Sequence, residues 1–212
     1  MEQNSPNATA NSSAPAHPVT LTDILRARTH FIIDPIVTFL ARYRLSPDIL
    51  TVAGVLAHFF FAWLVTKGQM QWAAVAIFFI APLDAFDGAL ARKLVRKQHG
   101  FGAFLDSTLD RLAEIVLFGG FIIYYVWQGN TMMLGVSYLA ITGSIMVSYA
   151  RARAEALGFS CKVGLLSRVE RYAVMTFFLV LNLPHIALII LAVFTYITLG
   201  QRMYHVWRQA QY

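Results

Sequence analysis

Six long apolar stretches, at roughly 48–66, 70–91, 102–127, 132–154, 169–183 and 185–206, leave this chain few folds to adopt. A helix needs about 20 residues to cross the hydrocarbon core of a bilayer. Within that core a helix satisfies its own backbone hydrogen bonds, which an open strand does not. The sequence therefore predicts an all-α integral membrane protein with six transmembrane helices. Composition agrees, since 58% of the 212 residues are hydrophobic and 13% charged, against about 25% charged in soluble domains. A soluble fold of this size would have too little polar surface. The fifth stretch is the shortest and opens from the charged Arg168-Val169-Glu170-Arg171. Lys67-Gly68-Gln69, Gln128-Gly129-Asn130 and Leu183-Pro184-His185 supply breaks on one side of the membrane.

Charge orients the bundle. Of the 17 Lys and Arg residues only Lys67 falls in the predicted outer loops, and basic residues collect in cytoplasmic loops. Both termini are therefore expected in the cytoplasm. Residues 1–20 are rich in Asn, Ser, Ala, Pro and Thr and read as a disordered tail, without the basic start and apolar core of a signal peptide. Residues 21–45 read as an amphipathic interfacial helix, with Ile24, Leu25, Phe31, Ile32, Val37 and Leu40 interleaved by Arg26, Arg28 and Arg42 and a bend at Pro35. The spans occupy 46–212. The net charge of +6 suits anionic lipid head groups, to which Arg26, Arg28, Arg202 and Arg208 are assigned. No nucleic-acid motif accompanies it. The lone Cys161 forms no disulfide within the chain.

Four of the seven aspartates fall in one run, Asp84-x-x-Asp87-Gly88-x-x-Ala91-Arg92 followed by Gly102-x-x-x-Asp106-x-x-x-Asp110. At i, i+3 spacing Asp84 and Asp87 share one helix face, and at i, i+4 Asp106 and Asp110 share another. Two facing helices could then hold four carboxylates around a cation. Acids in a membrane span are costly and usually line a cavity or pair with a partner. Pairing with Arg92 and Arg111 alone does not suffice, because two arginines cannot neutralise four carboxylates. One or two divalent cations would, and hard oxygen donors favour Mg²⁺ or Mn²⁺. A cation transporter would use intramembrane acids too. Against it, these acids lie at one membrane face and the outer halves of the helices carry none.

The run resembles the signature of the CDP-alcohol phosphotransferase (CDP-alcohol phosphatidyltransferase) family of integral membrane enzymes, with all eight fixed positions present. The resemblance implies a metal-dependent transfer of a phosphatidyl group from CDP-diacylglycerol, with release of cytidine monophosphate. It assigns Asp84, Asp87 and Asp106 to metal binding and Asp110 to the base, with Asp110 also reaching a second metal. It places Gly88, Ala91, Arg92 and Gly102 at the CDP-lipid. Gly88 and Gly102 admit a second reading as close helix packing. Ser46-Pro47-Asp48-Ile49-Leu50-Thr51 resembles the segment where the family begins its first span, making Asp48 and Thr51 contacts to the cytidine group, although Asp48 also suits a helix N-terminus.

The acceptor is read from a different part of the chain. Ser148 to Glu155, then Lys162 and Arg168 to Arg171, look like the corresponding region of bacterial and archaeal members that use inositol phosphate, the phosphatidylinositol phosphate synthases. Arg151, Arg153, Lys162, Arg168 and Arg171 would clamp the acceptor phosphate; Arg151, Arg153 and Arg171 also suit helix ends at the inner surface. Ser167 stands where that version often has an acidic residue, which keeps glycerol 3-phosphate as the alternative acceptor. Family members are commonly homodimers. Two polar residues inside spans complete the reading: His58 is expected to bond a neighbouring helix, and Glu114 to pair with Arg111 or a second helix.

Overall fold

In a computed structural model of the chain, residues 35, 37–39, 42, 47–83, 86, 89–90 and 100–211 are described. The predicted tail lies outside the described residues. Of the interfacial segment, residues 35, 37–39 and 42 are helical, with Val37 buried and Phe39 exposed. Six helices make up the described elements: α1 (Pro47–Thr66), α2 (Met70–Ile80), α3 (Gly100–Trp127), α4 (Thr131–Ala156), α5 (Arg168–Val180) and α6 (Pro184–Gln209). Helical residues recur beyond α2 at 83, 86, 89 and 90.

Four helices end in the same way. After α1, Gly68 takes φ 72°, its N–H bonds the Val65 carbonyl at 2.9 Å, and the Gln69 N–H bonds that of Leu64 at 3.0 Å. That pair of bonds satisfies carbonyls the helix leaves orphaned and needs a left-handed residue at its centre. Gly129 after α3, Gly158 after α4 and Asn182 after α5 repeat it. The outer breaks read from the sequence are thus turns of one chemical type. Asn130 then caps α4, its side chain accepting from the Met133 N–H at 3.0 Å, and Pro184 opens α6, where a missing N–H costs nothing.

The main packing neighbours close into a ring, α1 to α3 to α4 to α6 to α5 to α2 and back to α1. Two glycines permit its closest approaches. A Cβ on Gly120 of α3 would lie 2.8 Å from the Ala62 Cα of α1, and one on Gly143 of α4 would collide with the Thr195 side chain of α6. Phe61, Phe118, Phe121, Ile77, Met175, Leu179, Leu188 and Leu191 fill the interior, with Phe61 and Phe121 edge to face at 6.1 Å.

The outside is as apolar as the inside. Only 39% of the span in α1 is buried, and its exposed side includes Leu56, Phe59, Phe60 and Trp63. Water would not tolerate such a surface and lipid does. α1, α4 and α6 are each long and apolar enough to cross a bilayer. α2 has 11 residues and α5 has 13. The 28 residues of α3 are long enough, but the stretch from 106 to 114 carries Asp106, Asp110, Arg111 and Glu114.

Candidate active site

Where α3 and α5 begin and α4 and α6 end, the ring encloses a polar cavity of about 440 Å³. Asp106, Ser107, Asp110, Arg111 and Glu114 of α3 line one wall. Ser148, Arg151, Ala152 and Glu155 of α4, Ser167, Arg168 and Arg171 at the head of α5, and Arg202 of α6 line the rest. The i, i+4 spacing read from the sequence puts Asp106 and Asp110 on the same side of α3, and both are half-buried there.

Asp110 of α3 forms an ion pair with Arg168 of α5 across the inside of the ring. Arg168 Nη2 also donates to the Tyr172 hydroxyl at 3.3 Å, and its guanidinium lies 5.4 Å from the centre of the Tyr172 ring. Tyr172 in turn meets His58 Nε2 of α1 at 2.9 Å, while His58 Nδ1 meets the Gly54 carbonyl at 2.7 Å. A carbonyl only accepts, so Nδ1 carries a proton. In the neutral ring Nε2 then accepts from the tyrosine, whose oxygen is left to accept from Arg168. His58 therefore bonds a neighbouring helix, as its isolation in an apolar span predicts.

One turn deeper, Glu114 joins three helices. Its Oε1 accepts from Arg171 Nε at 3.0 Å, from Arg171 Nη2 at 2.7 Å and from Ser144 Oγ of α4 at 2.7 Å. Arg171 also donates to the Leu166 carbonyl at 3.2 Å and to Ser148 Oγ at 3.4 Å. Arg171, expected as a phosphate ligand, thus reaches the cavity already neutralised and only 4% exposed. Of the two partners expected for Glu114, the second helix is the one found; Arg111 bends back along α3 to the Ser107 carbonyl at 2.5 Å. Ser167, at the N-cap of α5, donates its hydroxyl to Glu170 three residues on.

Other expected residues are distributed unevenly. Arg151 lines the cavity and pairs with Glu155 at 2.8 Å. Arg153 and Lys162 are exposed and outside the cavity wall; Arg153 lies two residues past Arg151, about 200° around the helix. Asp48 in the first turn of α1 comes together with Gly102 in the first turn of α3, where an added Cβ would lie 4.0 Å from Asp48 Oδ1. Thr51 follows one turn later on α1, half-buried. Asp84, Asp87, Gly88, Ala91 and Arg92 lie outside the described residues. Among the described residues no three metal-binding side chains converge, and Asp106 and Asp110 are the half of the quartet that is seen. Two carboxylates on one cavity wall are hard oxygen donors that fit Mg²⁺ or Mn²⁺.

Arg202 corrects the sequence reading. Assigned there to lipid head groups, it is instead 4% exposed, donating from Nε to the Val163 carbonyl at 3.0 Å and from Nη1 to the Val147 carbonyl at 2.5 Å. The cause is a crossing segment, 157–167, that folds over the end of α6. Thr198 Oγ1 accepts from the Leu166 N–H at 3.1 Å and Gln201 Oε1 from the Leu165 N–H at 3.2 Å. Gln209 bonds both the N–H and the carbonyl of Ser160, at 3.0 and 2.7 Å. A polar stripe at Thr195, Thr198 and Arg202, spaced i, i+3, i+7 along an otherwise apolar helix, is the signal that marks this face.

Residues 44–200 match the family profile described as CDP-alcohol phosphatidyltransferase. Phosphatidylinositol phosphate synthase of Streptomyces avermitilis is 37% identical over 155 residues, 70% of this chain and 62% of that protein. Archaetidylinositol phosphate synthase of Methanothermobacter thermautotrophicus is 37% identical over 183 residues, 84% of this chain and 89% of that protein. Crystal structures of Mycobacterium tuberculosis phosphatidylinositol phosphate synthase are similar in fold at 28–29% identity. The one with CDP-DAG bound has a TM-score of 0.75 over 83% of this chain and 94% of that one. The one with manganese and citrate has a TM-score of 0.76 over 82% and 88%. A family profile spanning most of the chain, together with three helices fit to cross a bilayer, makes this protein a multi-pass membrane transferase belonging to the CDP-alcohol phosphatidyltransferase family.

Proposed function

We propose that the chain transfers the phosphatidyl group of CDP-diacylglycerol to inositol phosphate, giving phosphatidylinositol phosphate and cytidine monophosphate. The observation that carries this reading is the division of the cavity, with Asp106 and Asp110 on one wall and Arg151, Arg168 and Arg171 on those facing it. A cavity so divided suits an acceptor with a hydroxyl at one end and a dianionic phosphate at the other. The names of the relatives support inositol phosphate as that acceptor.

In this reading the acceptor hydroxyl attacks the lipid-bearing phosphorus, a P–O bond to the acceptor forms, and the P–O bond to cytidine monophosphate breaks. Asp110 takes the hydroxyl proton. Asp84, Asp87, Asp106 and Asp110 hold Mg²⁺ or Mn²⁺, which when bound offsets the charge on the pyrophosphate. Asp48, Thr51, Gly88, Ala91, Arg92 and Gly102 take the CDP-lipid; the meeting of Asp48 and Gly102 at the heads of α1 and α3 supports that side of the site. Arg168, beside both Asp110 and the cavity, orients the acceptor phosphate. All six helices span the membrane, the cavity and both termini face the cytoplasm, and the protein works as a homodimer. The test is release of cytidine monophosphate by purified protein with CDP-diacylglycerol and Mg²⁺. Release with inositol phosphate but not free inositol is expected. Preference for glycerol 3-phosphate would keep the chemistry and replace the acceptor, an outcome that Ser167 keeps in play.

A further inference from the structure

The Asp110–Arg168 pair is supported from a helix that does not line the cavity. Tyr172 follows Arg168 by one turn of α5, an i, i+4 contact local to that helix. Its oxygen accepts from Arg168 Nη2 at 3.3 Å, and its ring lies beneath the guanidinium, 5.4 Å from ring centre to carbon. What orients the tyrosine proton comes from α1. His58, buried there, meets the Tyr172 hydroxyl through Nε2 at 2.9 Å and the Gly54 carbonyl through Nδ1 at 2.7 Å. A hydroxyl has one proton to give. With Nδ1 protonated, Nε2 takes the tyrosine proton, and the Tyr172 oxygen turns its lone pairs to Arg168. The donors therefore run in one direction, from Arg168 to Tyr172, then to His58 and to Gly54, while Arg168 pairs with Asp110 at the other end.

We infer that His58 is a positioning residue for the transfer reaction, holding the Arg168 guanidinium beside Asp110 through Tyr172; this rests on Asp110 acting as the base above. Polar residues also join membrane helices with no part in chemistry. α1 and α5 do not need such a bond, because α2 stands between them in the ring and packs on both. A link between helices also has no use for an ordered row of donors that ends at a cavity carboxylate. His58 lies seven residues after Thr51, about 20° short of two full turns. The α1 face that carries a proposed contact to the CDP-lipid thus carries the tether as well. One helix then places the donor lipid and, through His58, the arginine at the base.

A cycle of His58→Leu, Tyr172→Phe and the double variant tests this in purified full-length protein, read as cytidine monophosphate release and as melting temperature. Each single variant is expected to lower turnover about fivefold, as loss of a neutral hydrogen bond does. The double variant is expected to fall no further, because both substitutions break one chain. Melting separates positioning from a simple link. Each single variant deprives a buried polar partner of this bond and the double variant removes both groups, so its melting temperature is expected to recover above that of His58→Leu while turnover does not. His58→Gln, whose amide oxygen can accept from Tyr172, is expected to keep more turnover than His58→Leu. Wild-type turnover in His58→Leu, a double variant whose loss is the product of the single losses, or turnover that recovers together with melting would overturn this role. A second readout is free of turnover: in isotopically labelled protein the His58 Nε2 nitrogen resonance is expected to shift in Arg168→Gln as well as in Tyr172→Phe. A resonance that Arg168→Gln leaves in place would end the chain at Tyr172 and overturn the role as well. A wild type that releases no cytidine monophosphate, with a resonance that still responds to Arg168→Gln, would sink the proposed function and leave His58 as the anchor of Arg168.

Discussion

Two acid–arginine pairs join α3 to α5 one turn apart, and burial separates them. Asp110 and Arg168 keep 23% and 24% of their side-chain surface exposed, whereas Glu114 and Arg171 keep 7% and 5%. The steps match, four residues on α3 against three on α5, so one alignment of the two helices across the ring sets both pairs. The inner pair is sealed by Ser144, Ser148 and the Leu166 carbonyl. Its attraction has to offset two desolvated charges, so the pair adds little net stability, but losing one partner strands the other at about 3–5 kcal/mol. The outer pair opens on the cavity, where exposed ion pairs contribute about 1 kcal/mol or less. Identical chemistry thus does two jobs. The inner pair ties α5 to α3 across the inside of the ring, and the outer pair keeps its groups exchangeable for a substrate.

The sharpest break in this comparison is Asp110→Asn. Loss of a general base lowers turnover by about 10² to 10⁴, so cytidine monophosphate release is expected to fall to background while CDP-diacylglycerol binding and thermal stability stay near wild type. Turnover within a few-fold of wild type would remove Asp110 as the base. Glu114→Gln is the inner counterpart and is expected to act on the fold, by about 3–5 kcal/mol, read as a lower melting temperature in detergent. Glu114→Leu combined with Arg171→Met is expected to recover most of that loss, because it removes both charges. A double variant no more stable than Glu114→Gln alone would mean that the inner pair does more than balance itself. Arg168→Gln comes next, with melting close to wild type and the acceptor KM raised about tenfold, the cost of one charged hydrogen bond.

The same division explains what could be read from the sequence. Helical segments and two turns were legible, because apolar runs favour helices and Gly68 and Gly129 fall at the ends of α1 and α3; the third break was read at Leu183-Pro184-His185, whereas the left-handed residue after α5 is Asn182. The i, i+4 partnership of Asp106 and Asp110 was legible because it is local to α3. The burial of Arg202 and the buried partner of Arg171 escaped the sequence for one reason. A basic residue near the end of an apolar helix looks alike in sequence whether it faces lipid head groups, phosphate or a buried partner. Glu114 lies 57 residues from Arg171, and Val163 lies 39 from Arg202, distances over which no periodicity carries information. Arg151 and Arg153 were grouped by charge, and helical geometry then put Arg151 alone on the cavity wall.

Tyr172→Phe sharpens the comparison with the smallest expected effect. The outer pair is tied to α1 through the tyrosine oxygen, which meets His58 Nε2 at 2.9 Å and Arg168 Nη2 at 3.3 Å. Phenylalanine keeps the ring beneath the guanidinium and removes those two bonds. Loss of a neutral hydrogen bond is worth about 1 kcal/mol, so turnover is expected to fall roughly fivefold or less, with the acceptor KM moving more than that of the CDP-lipid. A fall as large as that of Arg168→Gln would show that Arg168 depends on this tether for its place beside Asp110. No change in turnover, with only the melting temperature lowered, would make the tether a link between α1 and α5 that leaves the outer pair free to find Asp110 unaided.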